Sequence, residues 1–184
     1  MLIAGIGNIF LGDDGFGPEV VRRLPHYPDA GVRVMDYGIR GMHLAYDLLD
    51  AWDALVLVDA LPDRGESGRV AVFRAATADA DADADAVRLD AHAMTPAAVF
   101  AGVRALGGVL PPTVVVGCQV ASVDDRIGLS EPVAAAVDDA VAAVGRVLAD
   151  LMPDGAQPVE GRAAQVGTVR DGSSPSPTRV RQEE

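Results

Sequence analysis

Ala54-Leu-Val-Leu-Val-Asp59 is an unbroken apolar run closed by an acid. A run like this, with no polar alternation, fits a strand covered on both faces, as in a parallel sheet with helices above and below. The sequence on either side supplies the rest of such a sheet. Upstream, Met1 to Ile6 is another short apolar run, ended by Gly5 and Gly7, and Val32 to Asp36 alternates as a strand should. Downstream, Arg69 to Phe73 reads as a fourth strand. A short Pro/Gly connection joins it to Ala54–Asp59, which predicts one antiparallel pair in an otherwise parallel sheet. Thr113 to Cys118 is the fifth strand.

Helices fill the gaps between these strands. Pro18 suits the first turn of a helix, where its missing N–H costs nothing, and Pro25 and Pro28 stop that helix after Leu24. Met42 to Asp50 has helical spacing through Leu44, Leu48 and Leu49. Thr95 caps and Pro96 opens a helix running to about Leu106, and Ser130 caps a final helix from Pro132 to about Leu151. The order β-α-β-α-β-β-α-β-α predicts an α/β fold. It is a three-layer sandwich, with helices on both faces of a twisted, mostly parallel sheet of about five strands. Residues 1–152 form this domain. From Pro153 the composition shifts to Gly, Pro, Ser, Arg and Glu without periodicity, so 153–184 reads as a disordered tail. Thr77 to Ala86 alternates Ala and Asp, whose carboxylates repel one another, and reads as a solvated loop insertion.

Composition narrows the function. Of 184 residues, 49% are hydrophobic but only 4% aromatic, so the core must be built from Val, Leu, Ile and Ala. The net charge of −12 disfavours phosphate backbones and anionic lipid, which argues against nucleic acid and membrane surfaces as partners. All 15 basic residues are Arg. Cys118 is the single cysteine, so no intramolecular disulfide forms. The apolar start lacks a basic n-region, and no run approaches the ~20 apolar residues of a membrane span. The expectation is a cytoplasmic protein.

Ligands of open α/β sheets collect beyond the carboxyl ends of the strands. Asp14 follows the first strand, Asp59 closes the third, and His92 precedes the third helix. Two carboxylates and an imidazole converging there would make an O/O/N site for a divalent transition metal. Each residue also has a plainer reading. Asp13 and Asp14 suit a helix N-terminus, Asp59 can bind the backbone of Leu61 or the turn at Pro62-Asp63, and His92 can be a solvated loop histidine. Asp59 points hardest to a site, because a carboxylate closing an apolar strand needs partners. His26 reads as a surface residue; His43 begins a helix beside the Gly41 loop and could line the cleft, but the surface reading is favoured.

Rival motifs fail. Gly5-Ile-Gly7 is the start of a dinucleotide fingerprint, but Phe10 stands at the third glycine position, and Gly12-Asp-Asp-Gly15 would repel a pyrophosphate. Asp36 lies roughly ten residues past the place of the ribose-binding acid. There is no G-x-S-x-G elbow and no phosphate-binding G-x-x-x-x-G-K-[ST] loop. Cys118 closes an apolar strand and reads as a small core residue.

The stretch Gly5-Ile-Gly-Asn-Ile-Phe-Leu-Gly-Asp-Asp-Gly-Phe-Gly17 resembles the signature of hydrogenase maturation endopeptidases. Asp36-Tyr-Gly-Ile-Arg-Gly41 resembles that family's second glycine loop, and Val56-Leu-Val-Asp59-Ala60 its strand ending in an acid. Gly117-Cys-Gln119 and Gly128-Leu-Ser130 are similar to its closing strand and the start of its last helix. Tyr37, Ile39 and Val120 depart from the family pattern, which usually has Gly, Thr and Pro there. The resemblance covers about Met1 to Leu151.

The resemblance implies an endopeptidase that clips a C-terminal extension from the large-subunit precursor of a nickel–iron hydrogenase once nickel is in place. It implies that the family's metal-contacting residues fall on Asp14, Asp59 and His92. It also implies that the nickel belongs to the precursor, so that the enzyme needs no cofactor of its own. The other reading, from a different class, is a non-catalytic, chaperone-like module docking on a metalloprotein precursor. It would use the same ligands without hydrolysis.

Overall fold

The computed structural model describes residues 1–27, 31–75, 95–152 and 159–163. The central sheet contains β1 (Leu2–Ile6), β3 (Arg33–Gly38), β4 (Leu55–Leu61), β5 (Val70–Arg74) and β6 (Thr113–Gln119). The helices are α1 (Phe16–Arg23), α2 (Gly41–Asp47), α3 (Pro96–Ala105), α4 (Glu131–Ala135) and α5 (Val137–Leu151). A separate two-stranded ladder joins β2 (Pro25–His26) to β7 (Val159–Ala163).

Alternating side chains divide the sheet between two cores. Leu2, Ala4 and Ile6 of β1 and Leu55 and Leu57 of β4 face α2 and α3, and pack there with Tyr37, Leu44, Val99 and Val103. Ile3 of β1, Val56 and Val58 of β4, and Val114, Val116 and Cys118 of β6 face α1 and α5, among Val20, Val21, Val137 and Val144. A period of two in a strand buried on both sides therefore builds both apolar layers at once. The expected three-layer sandwich is the observed architecture. Thr95 caps α3 as its sequence predicts, its hydroxyl oxygen accepting the Ala98 N–H at 3.2 Å.

Strand order is β3-β1-β4-β6-β5, parallel except for β5. The antiparallel pair exists, but its members are not the neighbours that chain order implies. β6 inserts between β4 and β5, and β5 pairs with β6. Every residue of β6 is buried, so it takes an interior place, whereas β5 keeps Val72 47% exposed and suits an edge. The connection from Leu61 to Val70 has only to cross one strand, roughly 10 Å at the usual strand spacing. β4 also runs to Leu61, two residues beyond Asp59, because the ladder to β6 continues through Ala60↔Cys118 and Leu61↔Gln119.

Two further expectations are corrected. The final helix is broken at Ala136 into α4 and α5, and the Ser130 hydroxyl makes no cap bond to it. Within 153–184, which composition marks as disordered, Val159–Ala163 forms a strand on Pro25–His26. Backbone pairing needs no apolar period, and that period is what composition measures. The rest of that stretch, the Ala-Asp segment at 77–86 and His92 lie outside the described residues.

Among the family departures, Tyr37 is 1% exposed and its hydroxyl donates to Asp47 Oδ2 at 2.6 Å. Val120 donates its N–H to the Leu61 carbonyl at 3.0 Å, a bond that proline could not make.

Cys118 is fully buried in the α1/α5 core, and burial, with the nearby Asp13 charge, pushes its thiol up to about 11. A nucleophilic cysteine needs an accessible, acidified thiol, and this one is neither. Cys118→Ala should keep the cleavage that the resemblance implies, while losing about 1 kcal/mol of stability to the cavity it leaves. Loss of cleavage in a folded variant, followed by mass spectrometry, would revive a thiol mechanism.

Candidate functional site

The chain leaves β1, crosses to β3, then returns to the far side of β1 as β4, so the winding reverses between β1 and β4. That reversal opens a crevice at the carboxyl ends of these two strands. Asp14 and Asp59 border it, one from each strand.

Asp14 rides on a 3₁₀ turn, Gly12–Gly15, between β1 and α1. Glycines let the turn fold tightly back over the sheet. Gly7 has φ +132°, and a side chain there would land on the Asp14 carbonyl oxygen. A Cβ at Gly5 would sit 2.6 Å from the Gly17 carbonyl oxygen. These glycines therefore admit the chain's own backbone. In a dinucleotide fold the equivalent space admits phosphate. The Asp14 carboxylate accepts the Asn8 N–H at 2.7 Å. Partial burial raises its pKa, and that hydrogen bond draws it partway back.

Asp59 is 7% exposed. Its Oδ1 accepts the N–H of its own neighbour Ala60 at 2.8 Å. Burial holds this carboxyl well above the usual range; the Ala60 bond opposes the shift and the Asp14 charge adds to it. The two acids are thus close enough to repel. None of the ion pairs among the described residues includes either of them. A pair of mutually repelling carboxylates, one buried and one half-buried, with no cation beside them among the described residues is an arrangement that a bound cation relieves. Among the described residues no third His, Cys, Asp or Glu completes a metal-holding group. His26 and His43 are exposed, as expected. A cleft of about 300 Å³ opens beside the turn between Ile9, Gly12, Gly15 and Ile127, but neither acid lines it.

Asp13 has a role that its sequence context does not suggest. It is fully buried, and its carboxylate accepts three hydrogen bonds from the segment after β6. Ser130 N–H reaches Oδ1 at 2.5 Å, while the Ser130 hydroxyl and Ala121 N–H reach Oδ2 at 2.8 and 3.3 Å. The paired glycine-turn and Gly128-Leu-Ser130 motifs are the only trace of this link in the sequence.

A family model described as hydrogenase maturation protease matches residues 18–147. This chain is a member of that family. A Methanocaldococcus jannaschii protein, itself classed only provisionally as a hydrogenase maturation protease, is 36% identical over 147 residues, covering 77% of this chain and 91% of its own. The hydrogenase 2 maturation protease of Escherichia coli is 28% identical over 163 residues, 86% of this chain and 94% of its own. Among solved structures, the hydrogenase maturating endopeptidase HybD of E. coli superposes with a TM-score of 0.66 at 26% identity, covering 81% of this chain and 91% of that one. As a hydrogenase maturation protease the chain is a peptidase, which closes the reading as a non-catalytic docking module. Its family acts on the C-terminus of hydrogenase large-subunit precursors. No helix of the described residues is long and apolar enough to cross a membrane.

Proposed function

We propose that this peptidase uses nickel already seated in the large-subunit precursor of a nickel–iron hydrogenase as its signal to cut, with Asp14, Asp59 and His92 contacting that metal. The observation that carries the reading is the pair of acids at the β1/β4 reversal, one of them buried, both raised in pKa and neither paired with a cation among the described residues. In the free enzyme Asp59 resists ionisation. A cation delivered by the substrate reverses that preference, so the carboxylate becomes a ligand only when the metal arrives. The metal is then part of the substrate, and the enzyme carries no cofactor of its own. Docking at the metal sets the scissile peptide in the crevice. Hydrolysis consumes one water, whose oxygen bonds to the carbonyl carbon as the C–N bond breaks and the new amine takes a proton.

The surface around the crevice suits a macromolecular substrate. Ile9, Phe10, Ile39, Met42, Val123 and Ile127 are exposed on segments that leave the carboxyl ends of β1, β3 and β6. Apolar side chains gathered on one rim mark a protein-binding face. We place the reaction in the cytoplasm, where such precursors are made.

Purified enzyme should release the C-terminal fragment from nickel-loaded precursor and spare the nickel-free form, read by mass spectrometry. Equal cleavage of both forms would sink the sensing mechanism.

A further inference from the structure

We propose that Asp13 is a positioning residue that sets the Asp14 ligand by pinning its turn to the segment after β6. This rests on the proposed role of Asp14. A 3₁₀ turn of four residues makes little structure of its own, so its position depends on what holds it. Here the holding is done at two levels. The backbones cross-link where the Gly12 N–H donates to the Arg126 carbonyl at 2.7 Å and the Arg126 N–H donates to the Phe10 carbonyl at 3.0 Å. The Asp13 carboxylate adds its three bonds to Ala121 and Ser130, with the Arg126 guanidinium 3.8 Å away.

A fully buried carboxylate is costly unless hydrogen-bonded, and charge-assisted bonds of this kind are the strong, short ones. Replacing Asp13 by a neutral amide keeps the size but turns one accepting oxygen into an N–H₂, which then faces the backbone N–H of Ala121 or of Ser130. Asp13 directs its described bonds to the 121–130 segment rather than to the crevice. Its effect on the substrate therefore passes through the orientation of the next residue, as the outer partners of metal ligands act through the ligands they orient.

The test measures the affinity of the enzyme for nickel-loaded and nickel-free precursor and takes the ratio, which cancels any change in the folded fraction. Asp14→Asn serves as the reference for a lost ligand and should bring the ratio close to one. Asp13→Asn should lower the wild-type ratio roughly tenfold. Ser130→Ala removes only the hydroxyl donor at 2.8 Å and should lower it in the same direction by less. A folded Asp13→Asn variant that melts lower yet keeps the wild-type ratio would make Asp13 a stability residue only and overturn the proposal. If Asp13→Asn fails to fold, an unchanged ratio in Ser130→Ala overturns it instead. A wild-type ratio of one would overturn the nickel reading itself, and with it this one. A wild-type preference that survives in Asp13→Asn and Ser130→Ala overturns this one alone.

Discussion

Asp59→Asn enzyme should leave nickel-loaded precursor uncut, and the same protein should melt at a higher temperature than the wild type at neutral pH. The first effect follows from losing a negatively charged ligand. Partners one shell further out already cost about 10–100-fold, so loss of the ligand should exceed roughly 100-fold. The second follows from proton linkage. Asp59 is raised above the ordinary aspartate value of 3.8, chiefly by burial. Between that value and its raised one, the folded state binds more protons than the unfolded state, so stability is lost as pH rises through this window. At neutral pH the wild type has lost the stability given up in this window, and Asn removes the titrating group while keeping an oxygen for the Ala60 N–H. Each kcal/mol recovered raises the melting temperature by about 2–4 °C in a chain of this size. The gain should shrink on acidification toward about pH 4, where the wild type is relieved by protonation. A folded Asp59→Asn variant with full cleavage would end the site assignment. A variant that melts lower than the wild type at neutral pH would show Asp59 to be structural.

Gly17→Ala should be among the most damaging single methyls in the described structure. A Cβ there would fall onto the carbonyl oxygens of Ile6 and Val58 and come within 2.9 Å of the Ile6 amide nitrogen. These are backbone atoms of the two central strands, so no side-chain rotation relieves the clash. Overpacking ordinarily costs about 1–3 kcal/mol, and a clash with fixed backbone belongs at or above the upper end, about 3 kcal/mol or more. Gly145 in α5 is the contrast. A methyl added there would meet nothing within 4 Å, so Gly145→Ala should stabilise by about 0.5–1 kcal/mol through helix propensity. Urea unfolding of the two variants checks both signs. A near-neutral Gly17→Ala would mean that α1 stands further from the sheet than the structure has it.

The sheet was legible because Leu55 to Val58 and Val114 to Val116 are apolar at every position, which only a strand covered on both faces requires. The place of β5 was not. Chain order puts it beside β4, while burial, which a sequence shows only indirectly, gives that place to β6. The two acids at the reversal point were legible from their positions at strand ends. Which of Asp13 and Asp14 faces the crevice was not to be had from spacing. With three residues per turn, consecutive side chains on a 3₁₀ segment point about 120° apart, so one adjacent pair serves two separate purposes. Ser130 was legible as a residue type suited to a helix start, but its partner lies 117 positions away and took its hydroxyl from the cap.

The insertion of β6 between β4 and β5 also bears on how the molecule is assembled during synthesis. β1, β3 and β4 pair with one another and come from the first third of the chain, so both crevice acids can meet early. β5 emerges next and has no strand to join until β6 follows it, beginning at Thr113. Ala121, Arg126 and Ser130 arrive later still, and they bring the Asp13 carboxylate its partners. A nascent chain halted before Thr113 would therefore hold its two acids near each other without the clamp that aligns them. It would also expose the unpaired edge of β4 to any passing strand.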